Sequence, residues 1–460
     1  MTLMPPVESG APAGPFPIEA GARGRAEDRG PARAVADAGV PALVLRLDRN
    51  PFHHGTLGAI RTLGRAGVEV HAVVESAASP VTRSRYLHTA HPLPPGAPGP
   101  IAADAVVDLL HRVSDRIGRR AVLIAMDDLS AVRTAADAHR LTGRYLLPDQ
   151  PPQLPGLLAD KAGLAGVCAA ADIPHPPSLL LSGPDDVPGA VRALGLPLVA
   201  KWSRPWLLGS GFSAGLRSTT VVRTPDAVRA LCDRAGAAGS GLLLQRYLPD
   251  GPDTDWFFHG CFGGSGADGG PALLLGGSGR KELSWPPRAG LTAKGRWEPH
   301  PEAEAAALRL VAHVGYRGIL DLDFRRDRHT GAIQLLDANP RPGAQFRLFA
   351  GPSGGPGGPE LDVVRALYLD LTGRPVPPQP SSPGRVFVAE NYALLAALAP
   401  GRRPARGRRG GPPRPRAGVE TAWYAADDPR PFLAMSRAWL TRGAAKAARA
   451  ARRSGRAAPP

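Results

Sequence analysis

Apolar residues gather in short blocks from position 41 onward, where PALVLRL, VEVHAVVE and AVLIAMDD read as buried strands. Between the first two, GTLGAIRTLGRAG places its apolar residues at helical spacing. Strand and helix alternate, so a small parallel sheet is expected, and residues 39–150 are assigned to this α/β domain. The Pro-rich LLPDQPPQLPG at 146–156 marks its end. Beyond it, LPGLLADKAGLAGVCAAADIP predicts a helix stopped by Pro174, LPLVAKW a strand, and SRPWLLGSGFSAGLR a glycine-rich loop. STTVV then predicts a returning strand, PDAVRALCDRAG a helix with Pro near its first turn, and GLLLQRYL a further strand. An α+β section follows, and 151–375 is taken as the second domain.

Other stretches lack such a pattern. Residues 1–38 hold no sustained apolar period and are expected to be disordered. GPSGGPGGP at 351–359 reads as a flexible insertion, and the Arg, Gly and Pro tract at 401–418 has no core signature. Residues 376–460 are therefore assigned as an Arg-rich C-terminal extension. Its last stretch, PFLAMSRAWLTRGAAKAARAARR, predicts a basic helix, read first as a solvated face and second as an RNA or acidic-membrane contact.

The chemistry lies in DLDFRRDRHTGAIQLLDANPR at 321–341. Strand alternation puts Asp321 and Asp323 on one face, and Asp337 and Asn339 on one face of the next strand. The short RRDRHTGA connection predicts a hairpin, so the two strands pair antiparallel and the faces can coincide. Exposed polar residues on a half-solvated sheet are the competing explanation, but Asp is depleted in strands and four such groups in phase need a reason. Mg²⁺, or Mn²⁺ in its place, takes one or two carboxylates plus phosphate oxygens and water, a demand these residues meet. Arg341 follows directly, suited to stabilising charge on a transferring phosphoryl group.

Composition narrows the classes. The chain has 460 residues, of which 43% are hydrophobic, enough for two or three domains. No apolar run approaches the roughly 18–20 residues of a spanning helix, and no secretory signal is apparent, so a cytoplasmic location is the expectation. Cys168, Cys232 and Cys261 form no CxxC pair, which argues for buried thiols over a zinc knuckle or disulfides. The net charge is +16, yet 401–460 alone holds 15 Lys+Arg against 3 Asp+Glu. The excess is a property of the tail, and nucleic acid is not expected as a partner of the body. Neither a G-x-x-x-x-G-K-[ST] loop nor an H-R-D kinase loop occurs.

The pairing of an acidic strand with an acid-x-Asn-Pro-Arg strand resembles the metal-binding signature of the ATP-grasp superfamily. Only 5 of the 56 basic residues are lysine, and two of them, Lys161 in LADKAGLAG and Lys201 in LPLVAKW, resemble the family's ATP lysines. The resemblance implies that both contact phosphates, under a loop carrying Gly209, Gly211 and Gly215. GLLLQRYLPDGPDTDWFF looks like the hinge strand that holds adenine: Arg246 and Leu248 would offer backbone groups, Gln245 would lie alongside, and Asp253 would meet the ribose. Asp323, Asp337 and Asn339 would be the metal ligands and Asp321 would take a supporting or substrate-facing role. Both carboxylates are Asp where many relatives have Glu. Asp321 stands where some dipeptide-forming members have an oxyanion-stabilising arginine, so that duty would pass to Arg280, Lys281 or Arg341.

The resemblance covers about 155–372, with 41–148 similar to the Rossmann-like domain that precedes the two-lobed ATP-grasp domain. GRKELSWPPRAGLTAKG at 279–295 looks like the loop that shapes the acceptor pocket. The loop of PFHHGTLGAIRTLG could hold a substrate anion at a helix N-terminus, although His53 and His54 read more simply as ordinary loop residues. The implied activity is ligation of a small carboxylate, through an acyl phosphate, to an amine, with an amino acid as one partner and ADP and phosphate as products. A non-catalytic ATP-binding partner protein and an RNA-contacting tail are the alternatives.

Overall fold

The computed structural model describes residues 39–94, 101–208, 216–264, 266, 269–286, 290–352, 360–378, 382–398 and 418–454. The 1–38 segment, Gly209, Gly211, Gly215, residues 353–359 and the 401–417 tract lie outside the described residues.

The first apolar blocks form β1 (Ala42–Leu45), β2 (Val70–Val74), β3 (Thr89–Pro92), β4 (Ala121–Ala125) and β5 (Tyr145–Leu146). All pair parallel in the order β3-β2-β1-β4-β5. Helices α1 (His54–Arg65), α2 (Ala103–Ile117), α3 (Asp128–Ala136) and α4 (Ala138–Leu141) connect them. Every residue of β1 and β2 is buried, as a parallel sheet covered on both faces requires. The order reverses between β1 and β4, and such switch points open a crevice beyond the strands' carboxyl ends. Asp127 ties it together: its Oδ2 accepts from the amides of Leu47 (2.6 Å) and Asp48 (3.0 Å), while its Oδ1 caps α3 through Ser130 N (2.7 Å).

The single helix expected after 154 is two, α5 (Leu154–Ala159) and α6 (Lys161–Ala170). Asp160 breaks it by turning extended and accepting from Ala162 N at 3.0 Å, an N-cap that places Lys161 first in the new helix. Next come β6 (Ser178–Leu181), α7 (Val187–Leu194), β7 (Leu198–Trp202), β8 (Thr219–Val222), α8 (Pro225–Cys232), α9 (Ala235–Ala238) and β9 (Leu242–Arg246). These strands form an antiparallel sheet, β6-β9-β7-β8, over its own core of Val187, Leu198, Trp202, Val228 and Leu244.

The largest sheet has seven strands. It contains β10 (Asp255–Gly263), β11 (Ala272–Trp285), β12 (Leu291–Trp297), β13 (Gly318–Arg326) and β14 (Ile333–Asn339). The helix α10 (Pro301–Val314) covers one face, where Trp256, Phe258, Leu310, Leu320 and Leu322 share a core. The chain then forms the two-residue pair β15 (Gly351–Pro352) and β16 (Glu360–Leu361), followed by α11 (Val363–Leu371). On the other face of the large sheet, Phe257, Cys261 and Phe349 join α1, α11 and the parallel sheet in one continuous core.

The expectation of an extension after 376 needs correcting. β17 (Val386–Val388) pairs antiparallel with β12, α12 (Glu390–Leu398) follows, and β18 (Val419–Thr421) pairs parallel with β17. The reason is that β12 otherwise presents an open edge, which these short apolar strands cover. Trp423 is fully buried, and the buried Arg61 donates to Trp423 O (2.7 Å) and Asp428 Oδ2 (3.0 Å). Only then does the expected basic helix appear, as α13 (Arg430–Ser454). Among the described residues no helix is long and apolar enough to cross a membrane.

Candidate functional site

Pairing of β13 with β14 sets Asp321 opposite Asn339 and Asp323 opposite Asp337, so all four polar groups share one sheet face. On β10 that face carries Phe257, opposite Asp323, and His259, opposite Asp321. Asn339 Nδ2 donates to Asp321 Oδ2 (3.2 Å), which leaves Asn339 Oδ1 as the acceptor. Lys281, from β11, donates to Asp323 Oδ1 at 3.2 Å. Arg341 reaches both ways: Nη1 donates to Asp321 Oδ2 (3.2 Å) and Nε to Asp128 Oδ1 (3.0 Å), the first residue of α3. The acidic strands are thereby joined to the switch point of the parallel sheet.

The turn after Asn339 lies hard against this cluster. A Cβ at Gly343 would come 2.0 Å from His259 Cε1, so only glycine lets the backbone approach this closely. Burial pushes the Asp321 carboxyl up to about 7, with the charge of Asp323 adding to the effect and Arg341 and Lys281 opposing it. Burial works upward on Asp323, but the Lys281 ammonium and its hydrogen bond, with further help from His259 and Arg341, together hold that carboxyl below its usual range. Burial pulls the His259 imidazole down to about 3, so it is neutral, with Nδ1 3.1 Å from Asp321 Oδ1. Burial lowers Arg341 too, but Asp128, Asp321 and Asp323 together raise it above the ordinary guanidinium value.

Across from the acidic face stand the two lysines. Lys161 pairs with Asp337, and Lys201 Nζ donates to the Leu336 carbonyl at 2.7 Å, bridging the four-stranded sheet to β14. Burial lowers the Lys201 pKa, with Asp337 opposing and Lys161 reinforcing the shift. Between the sheets runs a cleft lined by Lys161, Lys201, Leu243, Gln245, Leu335 and Leu336. Gln245 is buried and donates to Ser178 Oγ at 3.1 Å. Arg246 donates its amide to Pro177 O (2.9 Å); proline has no N–H to return the bond to the Arg246 carbonyl. Leu248 is buried, its carbonyl accepting from Arg325 Nη1 at 3.0 Å.

Two expected residues fall elsewhere. Arg280 sits opposite Trp256, while its neighbour Gly279 sits opposite Phe257, so Arg280 occupies the face away from Asp323. There it pairs with Asp253 and with Glu298 Oε2 (3.0 Å). The geometry therefore groups Lys281 and Arg341 with the carboxylates and leaves Arg280 out, because successive strand residues point to opposite faces. Asp253 is an exposed partner of Arg280 with φ +61°. Conversely, Asp128, His259 and Arg325 were missed by the sequence reading. Arg325 Nε donates to Asp255 Oδ1 at 2.6 Å on the site face. The signals existed: a histidine in phase within WFFHGCF, and an acidic pair closing the strand AVLIAMDD. His53 caps α1 through Thr56 N (3.2 Å), and burial, reinforced by Arg46, His54 and Arg341, keeps it neutral.

The donor set suits a hard divalent ion. Asp323, Asp337 and Asn339 offer carboxylate and amide oxygens on one face, and Asp337 Oδ1 is buried, charge-paired with Lys161 but without a hydrogen-bond partner.

No protein-family model and no curated protein sequence matches the chain. Solved structures do resemble it. N5-carboxyaminoimidazole ribonucleotide synthetase from Thermus thermophilus aligns at 18% identity and TM-score 0.51, over 75% of this chain and 80% of its own. L-amino acid ligase from Bacillus licheniformis aligns at 14% identity and TM-score 0.52, over 73% and 75%. The biotin carboxylase domain of Hydrogenobacter thermophilus 2-oxoglutarate carboxylase, solved with MgADP and bicarbonate, aligns at 16% identity and TM-score 0.51, over 72% and 70%. The mixed α/β architecture of this chain, a parallel sheet followed by a four-stranded antiparallel sheet and a mixed seven-stranded sheet, is the fold it shares with these structures, the ATP-grasp fold.

Proposed function

We propose that the chain is an ADP-forming ligase that activates a small carboxylate with Mg·ATP and joins it to an amine. One observation carries this reading: Lys161 pairs with Asp337, which shares a sheet face with Asp323 and Asn339, and Lys201 reaches the carbonyl of the neighbouring Leu336, so candidate cation ligands and phosphate-binding ammoniums lie side by side. The neighbours' nucleotide, MgADP in one case, supports it.

In this reading adenine lies beside Gln245, with the Arg246 carbonyl and the Leu248 amide as its edge contacts. Lys161 and Lys201 act as point charges on the phosphates. Asp323, Asp337 and Asn339 would hold Mg²⁺, which supplies charge neutralisation at the phosphate oxygens. The substrate carboxylate, already ionised at neutral pH, attacks the γ-phosphorus in line; the bond to the β-phosphate oxygen breaks and ADP leaves. Arg341 and Lys281, both fixed by carboxylates, stabilise the charge on the transferring group. An amine then attacks the acyl carbon and phosphate departs.

An ADP-release screen over pairs of amino acids and other small carboxylates tests this. Turnover with some pair, abolished in Asp337→Ala while the variant still unfolds cooperatively in urea, at a lower midpoint because the buried Lys161 loses its carboxylate, is the expected outcome. Turnover that survives the substitution would show that the cation ligands lie elsewhere.

A further inference from the structure

The candidate ligase site occupies the carboxyl ends of the parallel strands. At the other end of that sheet, Glu69 immediately precedes β2, His71 is its second residue, and His88 immediately precedes β3. One ligand atom from each lies within 4.8 Å of the others, and His71 Nε2 stands 2.9 Å from Glu69 Oε1. We propose that Glu69, His71 and His88 form a binding site for a divalent transition-metal ion of the zinc class, separate from the Mg·ATP cleft.

The surroundings are those of a ligating triad. His71 Nδ1 lies 3.2 Å from His91 Nε2. His91 is buried, with its Nε2 placed to accept from His71 Nδ1–H. In the metal-free chain His71 has a partner at each ring nitrogen, Glu69 Oε1 at Nε2 and His91 Nε2 at Nδ1; with a metal at Nε2, the Nδ1–H would donate to His91, the arrangement in which a metal-bound histidine donates through its second nitrogen. His91 Nδ1 is buried without a hydrogen-bond partner, so no competing bond pulls the pair apart. Glu69 is anchored from behind, Oε2 accepting from Arg119 at 2.6 Å, which leaves Oε1 toward the histidines.

Dimensions agree. Ligands about 2.0–2.1 Å from a tetrahedral ion stand about 3.3 Å apart. Glu69 and His71 are already closer than that, and the remaining gap is within reach of His88, whose side chain is exposed. Two imidazoles and one carboxylate favour Zn²⁺, Co²⁺ or Ni²⁺ over Mg²⁺, and three protein ligands leave a position for water. β3 is an edge strand, and His88 N already donates to Val70 O at 2.8 Å, so the ion would clip that edge to its neighbour.

Zinc titrations of the full chain by calorimetry, in saturating Mg²⁺ to occupy the other site, test this with the parent, His88→Ala and Glu69→Gln. The expected result is one Zn²⁺ per parent chain, a rise in the parent's melting temperature, and affinity weakened about tenfold or more in both variants. Metal-free His88→Ala should melt with the metal-free parent, since His88 is exposed. No zinc binding by the parent, or equal affinity in parent and His88→Ala, would overturn the assignment.

Discussion

Replacing Lys201 with methionine separates the nucleotide role of this side chain from its structural one. The ammonium is buried and its pKa is lowered by that burial, so below its folded pKa the charge costs folding free energy, and methionine removes the cost. What is lost is one hydrogen bond to the Leu336 carbonyl, about 1 kcal/mol. Urea stability of Lys201→Met should therefore match the parent within about 1 kcal/mol or exceed it. The nucleotide loses a charge-assisted contact worth about 1.5–3 kcal/mol, or about 10- to 150-fold in Kd. Calorimetric titration with Mg·ADP, beside urea unfolding of the same preparations, reads both quantities. A folded variant whose Kd stays within about threefold of the parent, less than 1 kcal/mol, would refute the assignment of Lys201 to the phosphates.

Lys281→Ala should lower turnover about 10- to 1000-fold, whereas Arg280→Ala, on the opposite sheet face, should change it by less than about threefold; steady-state ADP release compares them. Asp428→Ala leaves Arg61 buried without its carboxylate and should cost about 3–5 kcal/mol in urea unfolding; a cost under 1 kcal/mol would mean that the 418–435 segment does not hold the body together. His54 is buried with both ring nitrogens unpartnered, and burial lowers its pKa from 6.5 to about 4. The unfolded chain binds its proton first, so stability falls as pH drops from 6.5 toward 4. Between pH 7 and pH 5, His54→Leu should lose about 2 kcal/mol less urea stability than the parent.

Much of the site was legible because its parts are local. Strand alternation alone puts Asp321 with Asp323 and Asp337 with Asn339, and the short connection between them leaves antiparallel pairing as the simple solution. The same rule, applied to GRKEL, separates Arg280 from Lys281, and naming both as candidates overlooked it. The expected single helix overlooked Asp160, the cap that makes Lys161 the opening residue of a new helix. Partners distant in sequence were not legible: Asp128 meets Arg341 across 213 residues, and Arg61 meets Asp428 across 367. β17 and β18, three residues each, are too short for a period to show, and what recruits them is the open edge of β12.

The central claim is that a carboxylate is activated by phosphoryl transfer within the cleft between Lys201 and the Asp323–Asp337 face. Phosphorus NMR of the purified chain turning over Mg·ATP with the amino acid and carboxylate panel reads the products directly. ADP and orthophosphate in equal amounts, absent with Asp337→Ala, is the expected spectrum. AMP with pyrophosphate would contradict the account.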